Sequence, residues 1–530
     1  MYNSGILLRG GYTMKLNYKR TILVGFAFFL ISAFWQAYDA TIPVILTNKF
    51  GMSQTWSGVI MALDNILAVF MLPLFGAFSD KCRSKRGKRT PFITIGTIVA
   101  AVAILSLSFV DNAQLKNISQ VAKIDDPAAL EVIYDAQKDA NLQTPEGDSF
   151  VLSEVYTKEA FAAIRTEDKL TVEGKEVSPY TNYVVPARQA YAAERTTANP
   201  TPLILFVSLL LVVLVAMSIF RSPAVALMPD VTVKPLRSKA NAIINLMGTA
   251  GGIIVLVLGI VFATSAVRNQ LMNYYIYYGV IAGLMLGALA VFLATVREPL
   301  WAKQMQEDSA RLGIEEEQTE IGEKRNLSSG ELRSLIFILA SIALWYFGYN
   351  AVTSKYSVYA GNILNMDYNT TLLIAQAAAI VAYIPAGIVA TKLGRKKTIM
   401  AGVIMLTAAF GAASFLRAGS SVILMNILFA LAGIGWATIN VNSFPMVVEL
   451  CSGGDIGKYT GFYYTASMSA QIITPMLSGF FMDMDGVGMT VLFPYAAIFA
   501  GLAFVTMAFV KHGDGKPVGK KGLEALDIDD

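Results

Sequence analysis

The chain has a single histidine, His512, and two cysteines, Cys82 and Cys451, in 530 residues. So few soft ligands leave no Cys/His metal cluster, and two cysteines at the ends of apolar runs make no disulfide framework. No Gly-rich phosphate loop is closed by Lys-Ser/Thr, and no Ser-His-Asp set can be assembled around a histidine that follows the last apolar run. The expectation is therefore a protein with no cofactor, no metal and no enzyme chemistry. Charge is scarce too: Asp, Glu, Lys and Arg make up 15% of the chain, whereas soluble domains carry about 25%. A net charge of +4 offers no basic field for nucleic acid.

What is abundant is apolar sequence, at 55% of the residues with a mean hydropathy of +0.53. Crossing about 30 Å of hydrocarbon takes about 20 mostly apolar residues in a helix. Twelve runs meet that need: 21–46, 57–79, 91–110, 201–228, 241–263, 274–296, 333–355, 369–391, 397–416, 421–445, 459–481 and 490–510. They are expected to be helices, because backbone groups left unpaired in lipid cost too much and no barrel alternation is present. The run after Arg20 is too long for a secretory signal and lacks a small-residue cleavage site. Met14-Lys15-Leu16-Asn17-Tyr18-Lys19-Arg20 reads like a second start.

Lys and Arg in short loops set orientation. Lys81, Arg83, Lys85, Arg86, Lys88 and Arg89 fill the connection after the second run, Lys234, Arg237 and Lys239 that after the fourth, and Lys392, Arg395, Lys396 and Lys397 that after the eighth. The alternate loops hold single cations such as Lys49, Arg268 and Arg417. Both termini are thus expected in the cytosol, in a multi-pass protein of the cell membrane.

The chain then divides into a cytosolic tail at 1–20, a six-helix half at 21–296, a Glu-rich cytosolic linker at 297–332, a second six-helix half at 333–510 and a tail at 511–530. An external insertion at 111–200 sits between the third and fourth runs. It carries Pro127, Pro145, Pro179 and Pro186, with helical patterning over 126–140 and 153–165. A small external cap and a partly disordered loop both fit it.

The halves repeat each other. Gly76-x-x-x-Asp80-Lys81 with Gly87-Lys88-Arg89 closes the second run, and Gly387-x-x-x-Thr391-Lys392 with Gly394-Arg395-Lys396 closes the eighth, 311 positions later. Asp230 precedes Lys239 by nine positions, as Glu449 precedes Lys458, 219 positions later. The two offsets differ by 92, close to the length of the insertion, so the insertion belongs to the first half only. A basic turn with glycine allows a tight link between helices. Its carboxylate can hold a cation or helix N-terminus of the other half in one state and release it in another. Asp80, Arg89, Asp230, Lys239, Glu449 and Lys458 are the candidates for a cytosolic gate.

Ionisable groups inside spans are costly and usually functional. Asp39, Asp64 and Lys355 stand out. Asp64 falls about 10 Å below the outer end of its run, with Asp39 and Lys355 nearer the surface. Lys355 is expected to pair with Asp39 or Asp64 across the halves as an outer gate, with Asp64 carrying the coupling proton or cation. Trp35, Gln36, Asn65, Tyr346, Asn350, Gln376, Trp436, Asn440, Asn442 and Gln471 also lie along the runs. Amides and aromatic faces together suit a sugar, which offers hydroxyl edges and an apolar ring face.

The stretch from Asp80-Lys81-Cys82-Arg83-Ser84-Lys85-Arg86-Gly87-Lys88-Arg89 to Thr90-Pro91-Phe92-Ile93 resembles the corresponding loop of sucrose–proton symporters of the major facilitator superfamily. Those belong with the glycoside–pentoside–hexuronide cation symporters. Arg221-Ser222-Pro223 through Asp230, and Asn440-Val441-Asn442 through Glu449 with Gly457-Lys458-Tyr459-Thr460-Gly461, are similar to bacterial members. The resemblance implies the twelve-helix fold and uptake of a disaccharide or glycoside with protons. Plant sucrose carriers place a coupling Asp and an Arg where this chain has Leu214 and Val225, and bacterial relatives carry a Glu near Thr353, where this chain has Lys355 two positions on. Coupling must then move to Asp64 or Asp39, use Na⁺, or be absent. The expected protein is a monomeric cation-coupled sugar carrier. The alternatives are an uncoupled facilitator or exporter of a small polar solute, and a transporter-like sugar sensor that signals through the insertion.

Overall fold

A computed structural model describes residues 6–7, 13–14, 16–172, 175–233, 236–311, 327–448, 450 and 456–513. Twelve long helices dominate it: α1 (Tyr18–Asn48), α2 (Gln54–Lys81), α3 (Thr90–Asn117), α4 (Thr201–Val231), α5 (Arg237–Val261), α6 (Tyr275–Thr295), α7 (Ser329–Tyr359), α8 (Tyr368–Leu393), α9 (Arg395–Ala413), α10 (Val422–Val448), α11 (Ile456–Met482) and α12 (Leu492–Ala508). Eleven are long and apolar enough to cross a membrane. The twelfth, α11, is diluted by Thr465, Ser467, Ser469, Gln471 and Thr474, and it stands against α2 and α7 inside the bundle. Polar groups on a spanning helix are tolerated where they face protein or a cavity rather than lipid.

Packing repeats after six helices. In the first half α1 packs on α5 and α6, α2 on α4, and α3 on α4 and α6; in the second α7 packs on α11 and α12, α8 on α10, and α9 on α10 and α12. The halves meet where α2 lies on α11 and α5 on α8. Each half has its own apolar core, one built around Phe34, Leu107, Phe220 and Tyr278, the other around Trp345, Leu406, Phe429 and Phe493. Lipid is as apolar as these side chains, so close packing and interhelical hydrogen bonds hold the helices together rather than water exclusion. Prolines lie inside six of the helices, including Pro73 in α2, Pro385 in α8 and Pro475 in α11; each removes a backbone donor from its helix.

The insertion folds. The expected helices at 126–140 and 153–165 appear as Pro127–Gln137 and the short pair Leu152–Val155 and Lys158–Ala162. Two hairpins, Asn141–Gln143 with Ser149–Val151 and Leu170–Val172 with Lys175–Val177, and a helix at Val185–Ala198 complete it. Leu130, Ile133, Leu152, Phe161, Tyr180 and Val184 form a third apolar core. This one lies outside the spans, where burying each such side chain from water contributes about 1.5–3 kcal/mol. The cap and not the disordered loop is therefore what the residues build.

The boundary of the cap corrects the sequence. α3 continues to Asn117 rather than ending at residue 110. Its polar last turns run beneath the cap: Lys49 Nζ holds both oxygens of Asp111 at 2.6 Å with both side chains fully buried, and Gln114 donates to the Lys49 carbonyl at 2.8 Å and to Thr196 at 2.9 Å. Lys49, expected as a loop cation, is thus a buried strut. Two ends of the bundle can now be named: the insertion end, and the basic end that carries the Lys81–Arg89 loop.

Candidate functional site

At mid-bundle, between the halves, lies a cavity of about 190 Å³. α1 contributes Trp35 and Asp39, α2 Met61, Asp64 and Asn65, α4 Arg221, α7 Asn350, Thr353 and Ser354, and α11 Gln471 and Pro475. Helical spacing explains the grouping: Trp35 and Asp39 are four residues apart, as are Asn350 and Ser354, and Gln471 and Pro475, so each pair shares a face. α1 runs on to Asn48 and α2 begins at Gln54, which places Asp39 and Asp64 at similar depths, about 14–15 Å from the insertion end. Asp39 is therefore nearer that end than Asp64 by only about 1.5 Å, one residue's rise.

The chemistry of the cavity is mixed. Asn65 donates to Asp64 at 2.7 Å. The Arg221 guanidinium sits 5.7 Å from the centre of the Trp35 ring, and it faces Asp64 as the opposite charge. Trp35 Nε1 and Asn350 Nδ2 are buried with no hydrogen-bond partner among the described residues. Buried donors of that kind are costly unless something accepts from them. The cavity is thus lined by two carboxylates, a guanidinium and an indole, and two of its lining residues, Trp35 and Asn350, carry unfilled donors.

Six expected residues meet here: Trp35, Asp39, Asp64, Asn65, Asn350 and Gln471. The rest go elsewhere. Gln36 and Gln376 bond each other at 2.5 Å, joining α1 to α8. Tyr346 stacks edge-on against Trp436 at 5.3 Å within the second half, where Trp436 also lies flat on Tyr349. Asn442 is buried and donates to the Thr438 carbonyl of its own helix, and Asn440 is exposed. Arg221 was missed as a site residue, although an arginine inside the run 201–228 was the available signal.

Lys355 has a different partner from the expected ones. Its Nζ donates to the Gln54 carbonyl at 2.5 Å, at the first residue of α2. Beside it Asp483, at the end of α11, accepts from Gln54 N at 2.8 Å, Thr55 N at 2.7 Å and Thr55 Oγ1 at 2.6 Å. A carboxylate on the free N–H groups of a helix N-terminus is favourable by charge and dipole. A second seam joins the halves at the same end: Ser265 donates to Asp367 at 2.6 Å, and Thr264 shares a hydrogen bond with Tyr368 at 2.9 Å. Burial works against charge on Asp367, but donors from Ser265, Thr370 and Asn369 outweigh it and hold the carboxyl below its usual range.

The basic end is wired differently. Arg89 donates to Asp230 at 2.7 Å, to Asp80 at 2.5 Å and to Ser79, and Lys88 lies 3.3 Å from Asp230. Burial works against the Arg89 charge, yet Asp230 and Asp80 more than compensate and raise its hold on the proton. Glu298, buried at the start of the helix Glu298–Arg311, caps α3 through Arg89 N at 2.9 Å and Thr90 N at 2.8 Å. Arg89, Lys88, Ser79, Asp80 and Asp230 all belong to the first half, so Asp80 reaches its cation within its own half and not across to the other. Of the other gate candidates, Glu449 and the side chains of Lys239 and Lys458 lie outside the described residues.

Comparison with known proteins places this architecture. The sequence profile of the Major Facilitator Superfamily matches residues 190–382 and 370–526, and that of the MFS/sugar transport proteins matches residues 23–115. The chain belongs to the Major Facilitator Superfamily. Two Arabidopsis thaliana relatives match over short stretches: sucrose transport protein SUC4 at 33% identity over 72 residues, 14% of either chain, and SUC3 at 36% over 67 residues, 13% of this chain and 11% of that one. The chain thus matches well under a fifth of the length of these curated relatives. Among solved structures, the inward-open xylose transporter XylE from E. coli aligns with 96% of this chain and 99% of its own at a TM-score of 0.55 and 14% identity. The peptide transporter POT in complex with sulfate aligns with 93% of both chains at 0.55 and 11%. At such identities the likeness is one of fold.

Proposed function

We propose that this chain is a secondary active transporter of the cell membrane that takes up a disaccharide or glycoside together with a cation, most simply a proton, by alternating access. The observation that carries the reading is the cavity between the halves, with Asp39, Asp64 and Arg221 beside unfilled donors on Trp35 and Asn350. A sugar supplies acceptors and donors for these groups and an apolar face for the indole. The sugar class is supported by the short sucrose-transport matches and the profile over residues 23–115. Positive charge in the connections after α2, α4 and α8 supports placing the basic end, and both termini, in the cytosol.

Asp64 is the proposed coupling group. It lies deep between the halves with an arginine facing it, so protonation changes the local charge balance where the solute binds. Asp39 shares the cavity and takes the second carboxylate role. Lys355, with Asp483, is assigned to the outer gate, and Asp80, Arg89 and Asp230 to the cytosolic side.

The test is uptake into proteoliposomes with a panel of disaccharides and glycosides under imposed proton and Na⁺ gradients. Accumulation of a glycoside under one gradient is expected, and Asp64→Asn should abolish accumulation while sparing exchange of solute across the membrane. Accumulation of no glycoside would remove the substrate assignment, and undiminished accumulation in Asp64→Asn would move coupling elsewhere.

A further inference from the structure

The insertion does more than cover the first half; its hairpin reaches across to the second. The tip of the hairpin is Thr144-Pro145-Glu146-Gly147-Asp148, between Asn141–Gln143 and Ser149–Val151. Gly486 N donates to the Gly147 carbonyl at 2.8 Å, and Met489 N donates to the Pro145 carbonyl at 2.8 Å. Gln143 Nε2 donates to the Met484 carbonyl at 3.0 Å. Glu146 faces Arg417, at the insertion end of α9, at 3.5 Å. The receiving loop, 483–491, links α11 to α12 and so lies wholly in the second half.

The fit is close enough to exclude side chains. Gly147 has φ +103° and Gly488 φ +63°, both in the region that favours glycine. A Cβ on Gly147 would lie 2.6 Å from Gly488 N, and one on Gly488 would lie 2.4 Å from Gly147 N. Two backbones pressed together through facing glycines form a docking surface and not an incidental touch.

The two attachments of the cap are unequal. Its bonds to the first half are buried or half-buried: Gln114 to Thr196 at 2.9 Å, Arg188 to Gln270 at 2.7 Å, and Gln189 to Asn48 at 2.7 Å. Its bonds to the second half are two between backbones, one exposed bond from the Gln143 side chain and one half-exposed ion pair. The cap therefore moves with the first half, and separation of the halves at this end must break the hairpin seam. The same receiving loop begins at Asp483, which caps α2. The first half thus holds this loop from two sides.

We infer that the hairpin tip is an outer strap: docked on the 483–489 loop it closes the insertion end, and it must undock before the central cavity opens to that side. This rests on the alternating-access reading above, and it adds a gate from a segment that the six-helix repeat does not contain.

The test uses the full chain with Cys82→Ser and Cys451→Ser, and with Glu146→Cys and Arg417→Cys placed across the seam. A short bifunctional thiol reagent joins them and a reductant releases them. The readout is a further Ser354→Cys in the cavity wall, labelled by a membrane-impermeant maleimide from the insertion side after release of the link and compared with the linked form by competition with a prior permeant block. Linking should slow labelling from that side by about tenfold or more, and release should restore it. Gly147→Val, which cannot dock, should speed it, and Glu146→Ala should do so more weakly if the valine variant folds poorly. Labelling that is the same with the strap linked and released overturns the inference, whether or not solute is accumulated. Absence of solute uptake together with a strap-dependent labelling rate overturns the transport reading alone.

Discussion

The two ends of the bundle use the same ingredients, carboxylates, cations and free helix termini, to opposite effect. At the insertion end the bonds cross between the halves: Lys355 to Gln54, Asp483 to the start of α2, Ser265 to Asp367. At the basic end, among the described residues, the cluster of Arg89 with Asp80 and Asp230 stays inside the first half, and Glu298 from the helix that follows that half caps α3. A charged group acts as a lock between moving bodies only when its partner belongs to the other body; otherwise it staples one body together. The first arrangement should set which state is populated, and the second should set how stable the half is.

The comparison can be broken at several points. Arg89→Ala should have the largest effect, because it removes a buried guanidinium from Asp230 and Asp80 at once and leaves Asp230 with Lys88 alone; a loss of about 3 kcal/mol is expected from removing the buried member of a charge pair. Thermal unfolding in detergent measures it, and a drop that also redistributes the accessibility of Ser354 would erase the distinction between staple and lock. Lys355→Met should do the reverse. Losing a hydrogen bond from a charged donor is worth about 1.5–3 kcal/mol, which should raise exposure of the cavity at the insertion end by an order of magnitude while leaving the unfolding temperature of the first half nearly unchanged.

Asp483→Asn keeps a cap on α2 but loses its charge. A shift in the same direction as Lys355→Met, of about 1 kcal/mol, is expected in the same labelling assay. Acidification should have the smallest effect. The folded-state pKa of Asp367 is depressed, so its contribution is present above the ordinary carboxyl range, about pH 4, and is lost as pH falls through the lower native value. Closure of the seam at Ser265 should weaken only in that acid window, and Asp367→Asn should remove the dependence.

Much of the frame was legible in the chain. The twelve runs become α1 to α12 with ends displaced by a few residues, because apolar length and the need to pair every backbone group act locally. α3 is the instructive miss. Its polar turns from Asp111 to Asn117 look like the start of a loop, and they stay helical because Lys49 and Thr196 reach them from other segments. Six of the expected site residues converge on one cavity because each is a polar group within a span, and polar groups in spans turn away from lipid. Arg221 stands in the stretch that resembles bacterial carriers and not among the polar residues that suggest a site, and Asp483 lies just outside a run.

Partners are another matter. Depth along the helices pairs Lys355 with Asp39 or Asp64, and helix rotation sends it to the Gln54 carbonyl instead. The repeat motif suggests a partner for Asp80 in the other half, and the loop between α2 and α3 folds Arg89 back onto it. Hydropathy, charge asymmetry and the repeat are properties of single segments and their order, so the sequence by itself determined the number of spans, their division into halves and the place of the insertion. Which groups touch depends on the rotation, tilt and spacing of helices far apart in the chain. Only the tertiary structure decided that one end is bonded across the halves, that the other is bonded within one of them, and that the insertion folds into a cap whose hairpin lies on the opposite half.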